Sequence, residues 1–249
     1  MYKDIGLEQW ESAQKWEKSF WDRFVKQQQS IGKLRFLKTF IKKYFKSIEG
    51  ETSNYWWEKA FDGYNFVPQE LGNVIEFGCG PFTNLRLILK NRNAHHVVAS
   101  DPLARHYVTY NGILAKKWKK RQWLIDDHLL EEKLYADGVF DLAVCINVLD
   151  HVRDVNLCLA NLIRVVRAGG ILILGQELTN DDDLRATAEK RQAARDVGHP
   201  HKFSTEETLV PYLEDFKPIL HKVVTREKGR LPAWHCGTFV FAGRKFDRS

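Results

Sequence analysis

The run Asn73-Val-Ile-Glu76-Phe-Gly78-Cys79-Gly80-Pro81, together with Asp101 at the end of the next apolar run, decides the fold of this chain. Val74 to Phe77 is a short apolar stretch that meets an acid and then two glycines one residue apart. That order describes a buried strand, a tight turn and a helix start. Val97 to Ser100 repeats the strand and carries Asp101 at its tip, 25 residues beyond Glu76. A carboxylate at the tip of a second strand, beside a glycine turn, is how an open α/β sheet holds a nucleoside-containing cofactor.

Outward from this core, strands and helices alternate from Asn73 on, which implies parallel strands joined by crossover helices. The pattern predicts strands over Val74–Phe77, Val97–Ser100, Trp123–Ile125, Phe140–Val148 and Ile171–Gly175. Phe140–Val148 is apolar almost throughout, as a central parallel strand is. Helices are predicted from about Asn84 to Lys90, from Pro102 onward, and over Asp154–Val166. Proline suits a first helical turn, and Ala168-Gly169-Gly170 supplies the left-handed stop after the third helix. A polar helix from Asp181 to about Val197 opens on three aspartates, and another is predicted over Thr205–Phe216, capped by Ser204 or Thr205. Ile219–Thr225 and Thr238–Arg244 close the chain as an antiparallel pair. The expected fold is α/β: a doubly wound, mostly parallel seven-stranded sheet whose last strand is antiparallel. Residues 1–65, helix-rich and aromatic (Trp10, Trp16, Phe20, Trp21, Phe24, Trp56, Trp57), read as an N-terminal helical cap near the mouth of the sheet. Residues 66–249 are the main domain.

At 249 residues, 44% hydrophobic and 28% charged, the chain has the composition of a soluble globular protein. No apolar run approaches the ~20 residues that span a bilayer. Met1-Tyr-Lys-Asp-Ile-Gly lacks the apolar stretch of a signal peptide. Cys79, Cys145, Cys158 and Cys236 contain no Cys-x-x-Cys pair, which argues against a zinc or disulfide framework and fits a reducing, cytoplasmic setting. The net charge of +6 is uneven: Lys33, Arg35, Lys38, Lys42, Lys43 and Lys46 fall between Ile31 and Ser47 with no acid among them. Ile31, Leu34, Leu37, Ile41, Tyr44 and Ile48 recur there at helical spacing. This basic amphipathic helix either lays its basic side in water or attracts an anionic substrate, nucleic acid or membrane surface.

The loop itself selects the cofactor. Gly78 and Gly80 occupy the first two glycine positions of a dinucleotide fingerprint, but Thr83 stands at the third, where glycine permits close strand–helix packing. Glu76 ahead of the loop disfavours a pyrophosphate and suits a cationic or zwitterionic ligand. S-adenosyl-L-methionine has no phosphate, carries a sulfonium and ends in an amino acid, so the electrostatics favour it over NAD. Asp101 can accept both ribose hydroxyls; the competing reading is that Asp101-Pro102 only caps a helix.

On these residues the chain resembles the class I S-adenosylmethionine-dependent methyltransferases over roughly residues 70 to 245. The family's acid-x-Gly-x-Gly-x-Gly loop matches at Glu76, Gly78 and Gly80, with Phe82 at the third glycine. Its second acid matches Asp101. Gly138-Val-Phe-Asp141-Leu-Ala-Val-Cys-Ile-Asn147-Val-Leu-Asp150-His151 resembles the fourth-strand motif, and Arg167-Ala-Gly-Gly-Ile-Leu-Ile the fifth. The resemblance implies that Glu76, Gly78, Cys79, Gly80, Asp101, Pro102 and Asn147 hold the cofactor. It also implies an adenine-binding acid after the third strand; Asp127 is favoured over Asp126, Glu131 and Glu132. The product would be S-adenosyl-L-homocysteine.

Methyl transfer is an in-line displacement, so the protein mainly aligns a nucleophile behind an activated methyl group and excludes water. Ligands sit at the carboxyl ends of parallel strands, which makes Asn147, Asp150, His151, Gln176 and Glu177 the first candidates. His151 is the expected general base because histidine titrates near neutrality, against a packing or capping role. Glu177 is expected to orient the substrate, against a plain solvated acid. His199 and His201 have a metal-like spacing, but no partner acid is evident in the sequence, so no metal is expected. The chain lacks the family's Asn/Asp-Pro-Pro-aromatic motif for base amines, a Pro-Cys nucleophile pair and an RNA-binding module. A hydroxyl or amine of a small molecule, sugar or natural-product-like, is therefore the expected acceptor. RNA or protein recognition through the basic 31–47 helix, and a non-catalytic cofactor-binding module, are the rivals.

Overall fold

Val74, Ile75, Glu76 and Phe77 are all buried, as a strand flanked on both sides must be. In the computed structural model, residues 4–33, 49–110, 123–178, 199–225 and 237–247 are described. The strands are β1 (Glu70–Phe77), β2 (Asn93–Ser100), β3 (Leu124–Asp126), β4 (Phe140–Ile146), β5 (Val166–Leu178), β6 (Phe216–Thr225) and β7 (Gly237–Lys245). They form one sheet in the order β3-β2-β1-β4-β5-β7-β6. The first five pair in parallel, and β7 runs antiparallel to both β5 and β6. The chain starts at β1, winds out to β3, then returns to β4 on the other side. The crevice at the carboxyl ends of β1 and β4 is therefore the topological switch point, where ligands bind such sheets.

The helices are α1 (Leu7–Lys33), α2 (Glu49–Ala60), α3 (Leu85–Ile88), α4 (Ala104–Tyr107) and α5 (Val155–Val165). One face of the sheet packs on Cys158, Leu159 and Leu162 of α5, with Phe203, Leu209 and Leu213 beyond. The other face packs on Trp57 and Ala60 of α2, Phe61, Tyr64 and the Leu85 and Ile88 side chains of α3. Trp57 needs Gly175 to reach the sheet: a Cβ there would stand 2.7 Å from the indole. Thus α2 shares the core of the sheet. Asp154 caps α5, its carboxylate accepting the Leu157 N–H at 3.0 Å.

Several expectations shift. The helix predicted over Thr205–Phe216 is two 3-10 turns, Glu206–Thr208 and Val210–Leu213. Pro211 lacks the N–H a continuous α-helix would use there. Gly169-Gly170 does not stop α5, which ends at Val165 and passes directly into β5. Phe140 pairs with Val166 and Leu142 with Ile171, so residues 167–170 form a bulge in which Gly169 has φ +72°. The helix after Pro102 begins at Ala104, and the first two strands start earlier than predicted, where exposed and half-buried residues interrupt the apolar pattern. The basic 31–47 helix falls mainly, and the 181–197 helix and Cys236 entirely, outside the described residues.

Candidate active site

The loop after β1 is shaped by what surrounds it. Gly78 has φ +64°, and a Cβ there would come 2.2 Å from the Val148 side chain. Glycine is needed both for the backbone conformation and for that approach. Gly80 has φ +53° with open space where a Cβ would point. Cys79 N–H donates to Ser100 O at 3.0 Å, tying the loop to the tip of β2.

Glu76 lies beneath the loop. Its carboxylate accepts the Thr83 hydroxyl, the Asn84 N–H and side-chain amide, both at 3.0 Å, and the Leu85 N–H at 3.3 Å. It anchors the first turn of α3 and is not part of the cavity wall. Burial pushes its pKa up to about 7, against the pull of those donors. Its place is structural: it holds the glycine turn from behind.

Asp101 stands in the wall. Its Oδ1 accepts the Leu103 N–H at 2.8 Å and its Oδ2 the Gly80 N–H at 3.1 Å. Burial raises its pKa to about 6, with a further push from Glu17 and opposition from the two N–H groups. A cavity opens in front of it, lined by Gly78, Cys79, Gly80, Asp101, Pro102, Asn147 and His151 among others. Asp127 is turned away: its carboxylate pairs with Arg105 at 2.6 Å, and His128, Leu129 and Leu130 line the cavity instead. Asp126 is spent on Ser100 and Tyr135, at 3.3 and 2.6 Å, and on His128.

Asn147 follows β4 with φ +57°, a left-handed conformation that asparagine tolerates better than most residues. Its N–H donates to Gly175 O at 2.7 Å, and its Oδ1 accepts the Glu177 N–H at 3.3 Å. This turn sends Val148 against Gly78 and carries His151 to the cavity. Glu177 does not line it. Another part of the wall was not legible as a site: Trp10, Gln14, Glu17 and Trp21 of α1, with Ser53, Asn54 and Trp57 of α2. The four α1 residues are spaced i, i+4, i+7, i+11, one face of a helix; that periodicity was the available signal. Trp21 donates to Glu17 at 2.6 Å and packs on Phe82 at 5.7 Å between ring centroids. Asn54 donates to Phe82 O and Thr83 O, fastening α2 to the loop.

Of His199 and His201, His199 does have an acid nearby, contrary to expectation, whereas the His201 Nε2 lies 3.2 Å from Arg153 O. His199 Nδ1 lies 2.7 Å from Asp150 Oδ2, and the His151 and His199 rings are 4.2 Å apart between centroids. A separation of about 50 residues along the chain hides this pairing from sequence spacing. Burial pushes the Asp150 carboxyl up, but the charges of His151 and His199 and the hydrogen bond of His199 outweigh it and hold it well below the usual range. Burial lowers the His199 pKa, and Asp150, Glu17 and Glu177 more than reverse that.

The residues fit S-adenosylmethionine: an anionic acceptor faces the glycine loop, space opens at Gly80, and the described lining has no lysine or arginine to hold a phosphate. The model of the methyltransferase domain family matches residues 51–216, two thirds of the chain. The chain belongs to that family and is a class I methyltransferase whose cofactor is S-adenosylmethionine. No curated protein matches it in sequence. In structure it is similar to 1,6-didemethyltoxoflavin-N1-methyltransferase of Burkholderia thailandensis, solved with 1,6-didemethyltoxoflavin and S-adenosylhomocysteine. The identity is 17% and the TM-score 0.56, over 85% of this chain and 88% of that one. The N-methyltransferase NodS of Bradyrhizobium japonicum WM9, solved with S-adenosylhomocysteine, shares 13% identity at a TM-score of 0.55, over 82% and 91%. At these identities the likeness carries the fold alone.

Proposed function

We propose that this methyltransferase acts on a hydroxyl or amine of a small molecule. The observation that carries the reading is the α1 face. Trp10, Gln14, Glu17 and Trp21 line the crevice together with the glycine loop and make it a walled cavity. A walled cavity suits a small acceptor better than an open groove does. The likeness to 1,6-didemethyltoxoflavin-N1-methyltransferase, solved with 1,6-didemethyltoxoflavin bound, supports this reading. No described residue favours RNA or protein as acceptor.

When bound, S-adenosylmethionine supplies an electrophilic methyl group on its sulfonium. Asp101 takes the ribose hydroxyls, with Gly78, Cys79, Gly80 and Pro102 shaping the turn around it. The segment His128–Leu130 takes the place expected for Asp127 along the adenine. Asn147 and the Glu177 backbone it holds fix the floor, and Trp21 and Phe82 exclude water. His151, after the carboxyl end of β4 and in the wall of the same cavity, takes the proton that the acceptor loses as its lone pair forms the new bond to carbon and the C–S electrons pass to sulfur.

The test is methyl transfer from radiolabelled S-adenosylmethionine to extracted pools of small molecules, tRNA and protein. Label is expected in the small-molecule pool. Label confined to tRNA or protein would overturn the acceptor class while leaving the methyltransferase intact.

A further inference from the structure

Beside the cavity lies a cluster that the reaction as described does not fully use. Asp150 is 9% exposed, and its Oδ1 is buried without a hydrogen-bond partner among the described residues. The His151 Nε2 stands 3.7 Å from that oxygen, too far for a hydrogen bond. A buried carboxylate oxygen without a donor is costly, and a bound cation offsets that cost. One ligand atom from each of Asp150, His151 and His199 lies within 4.8 Å of the others.

We propose that Asp150, His151 and His199 form a divalent-cation site of the zinc type, bordering the methyl-transfer cavity at His151. Zinc bonds of about 2.0–2.2 Å in a tetrahedron separate neighbouring ligand atoms by roughly 3.3 Å. His151 Nε2 stands 3.7 Å from Asp150 Oδ1, close to that separation, and His199 Nδ1 reaches the other carboxylate oxygen, Oδ2, at 2.7 Å. Two imidazoles and one carboxylate suit zinc or a neighbouring transition metal, whereas calcium and magnesium ask for oxygen ligands. Three protein ligands leave a fourth position open.

The surroundings are those of a supported ligand set. Gln176 is fully buried beside Asp150, and its Oε1 accepts the Leu149 N–H at 3.2 Å. His201 N–H donates to Asp150 O at 3.3 Å, fastening the segment that carries His199. Such outer contacts orient metal ligands. The side chains of His151 and His199 keep 21% and 32% exposure, so an ion can reach them from solvent. The other cluster of similar make-up, Asp126, Asp127 and His128, has no orphaned buried oxygen: Asp126 accepts from Ser100 and Tyr135, and Asp127 pairs with Arg105.

Only the use of the ion rests on the methyltransferase reading. There it acts as a Lewis acid. An acceptor hydroxyl that binds it releases its proton to water, and the oxygen lone pair forms the O–C bond as the C–S electrons pass to sulfur. His151 is then a ligand: the ion would acidify the bound hydroxyl, and water in place of His151 would take the proton.

The test uses the full chain stripped by a chelator and titrated with Zn2+ alone by calorimetry, then with Co2+ followed by visible absorption. Saturable binding of one ion per chain is expected, with the intense d–d bands of a four-coordinate cobalt site. Asp150→Asn and His199→Gln are each expected to weaken zinc binding by about tenfold or more, while Asp126→Asn leaves it unchanged. S-adenosylhomocysteine binding, measured on every variant, reports folding and the cofactor site separately. No saturable zinc binding in the wild type, or wild-type affinity in both Asp150→Asn and His199→Gln, overturns the site. If zinc binds and S-adenosylhomocysteine does not, the cofactor assignment fails and the metal site stands.

Discussion

At Asp101 both oxygens already accept backbone N–H groups, Leu103 and Gly80, so the carboxylate is aimed before any ligand arrives. Asp101→Ala removes a charged acceptor and is expected to weaken S-adenosylhomocysteine binding by about 1–3 kcal/mol, measured by calorimetry. Because burial raises this pKa to about 6, the ionised form that ribose hydroxyls prefer is lost as pH falls through that value. Affinity should be flat above pH 7 and fall by up to about tenfold per unit below 6; a flat profile down to pH 5 would contradict ribose binding by Asp101. Gly78→Ala brings both a strained φ and a clash with Val148, so loss of cofactor binding with a lowered Tm is expected. Asp101 and the glycines were legible in the sequence because their chemistry is local: a strand tip and a turn. The sequence also singled out Glu76, but its direction was not legible. Whether a carboxylate faces a ligand or a helix start depends on what packs behind it.

Among the elements, the turn from β1 into α3 turns on Glu76. Its folded pKa, near 7, lies above the ordinary value of 4.5. The unfolded chain therefore gives up this proton first, and the group's contribution is fully present below about pH 4.5 and lost as pH rises through 7. The loss is on the order of 3 kcal/mol. Urea unfolding of wild type and Glu76→Gln across pH 4.5–8 should show this slope in the wild type and not in the variant. A second joint is Asn161 of α5, whose amide donates to Leu130 O and Glu131 O, both at 2.9 Å. Asn161→Ala leaves two buried carbonyls unpaired and should destabilise by about 1–3 kcal/mol, with weaker cofactor binding because Leu130 lines the cavity. Long apolar strands such as β4 were readable from hydrophobicity alone. The 3-10 turns around Pro211 and the bulge at 167–170 were not, because local propensity there yields to packing against the sheet.

For the whole molecule, cofactor binding is linked to stability. S-adenosylhomocysteine at about 100 times its Kd should add roughly 2.7 kcal/mol, raising Tm by about 5–10 °C for a chain of this size. NADH should leave Tm unchanged; the reverse result would return the loop to the dinucleotide reading.

What the sequence determined by itself was the sheet, its switch point and the cofactor. Strand hydrophobicity, a glycine turn and an acid at a strand tip are properties of short segments, and the topology of parallel crossovers follows from their alternation. What only the tertiary structure decided was the rest of the cavity. The α1 wall, the diversion of Asp127 to Arg105 and the meeting of Asp150, His151 and His199 all join residues far apart in the chain. Such meetings depend on how helices and loops settle over the carboxyl edge of the sheet. Their physical cause is burial and packing against the folded core, which no local spacing encodes.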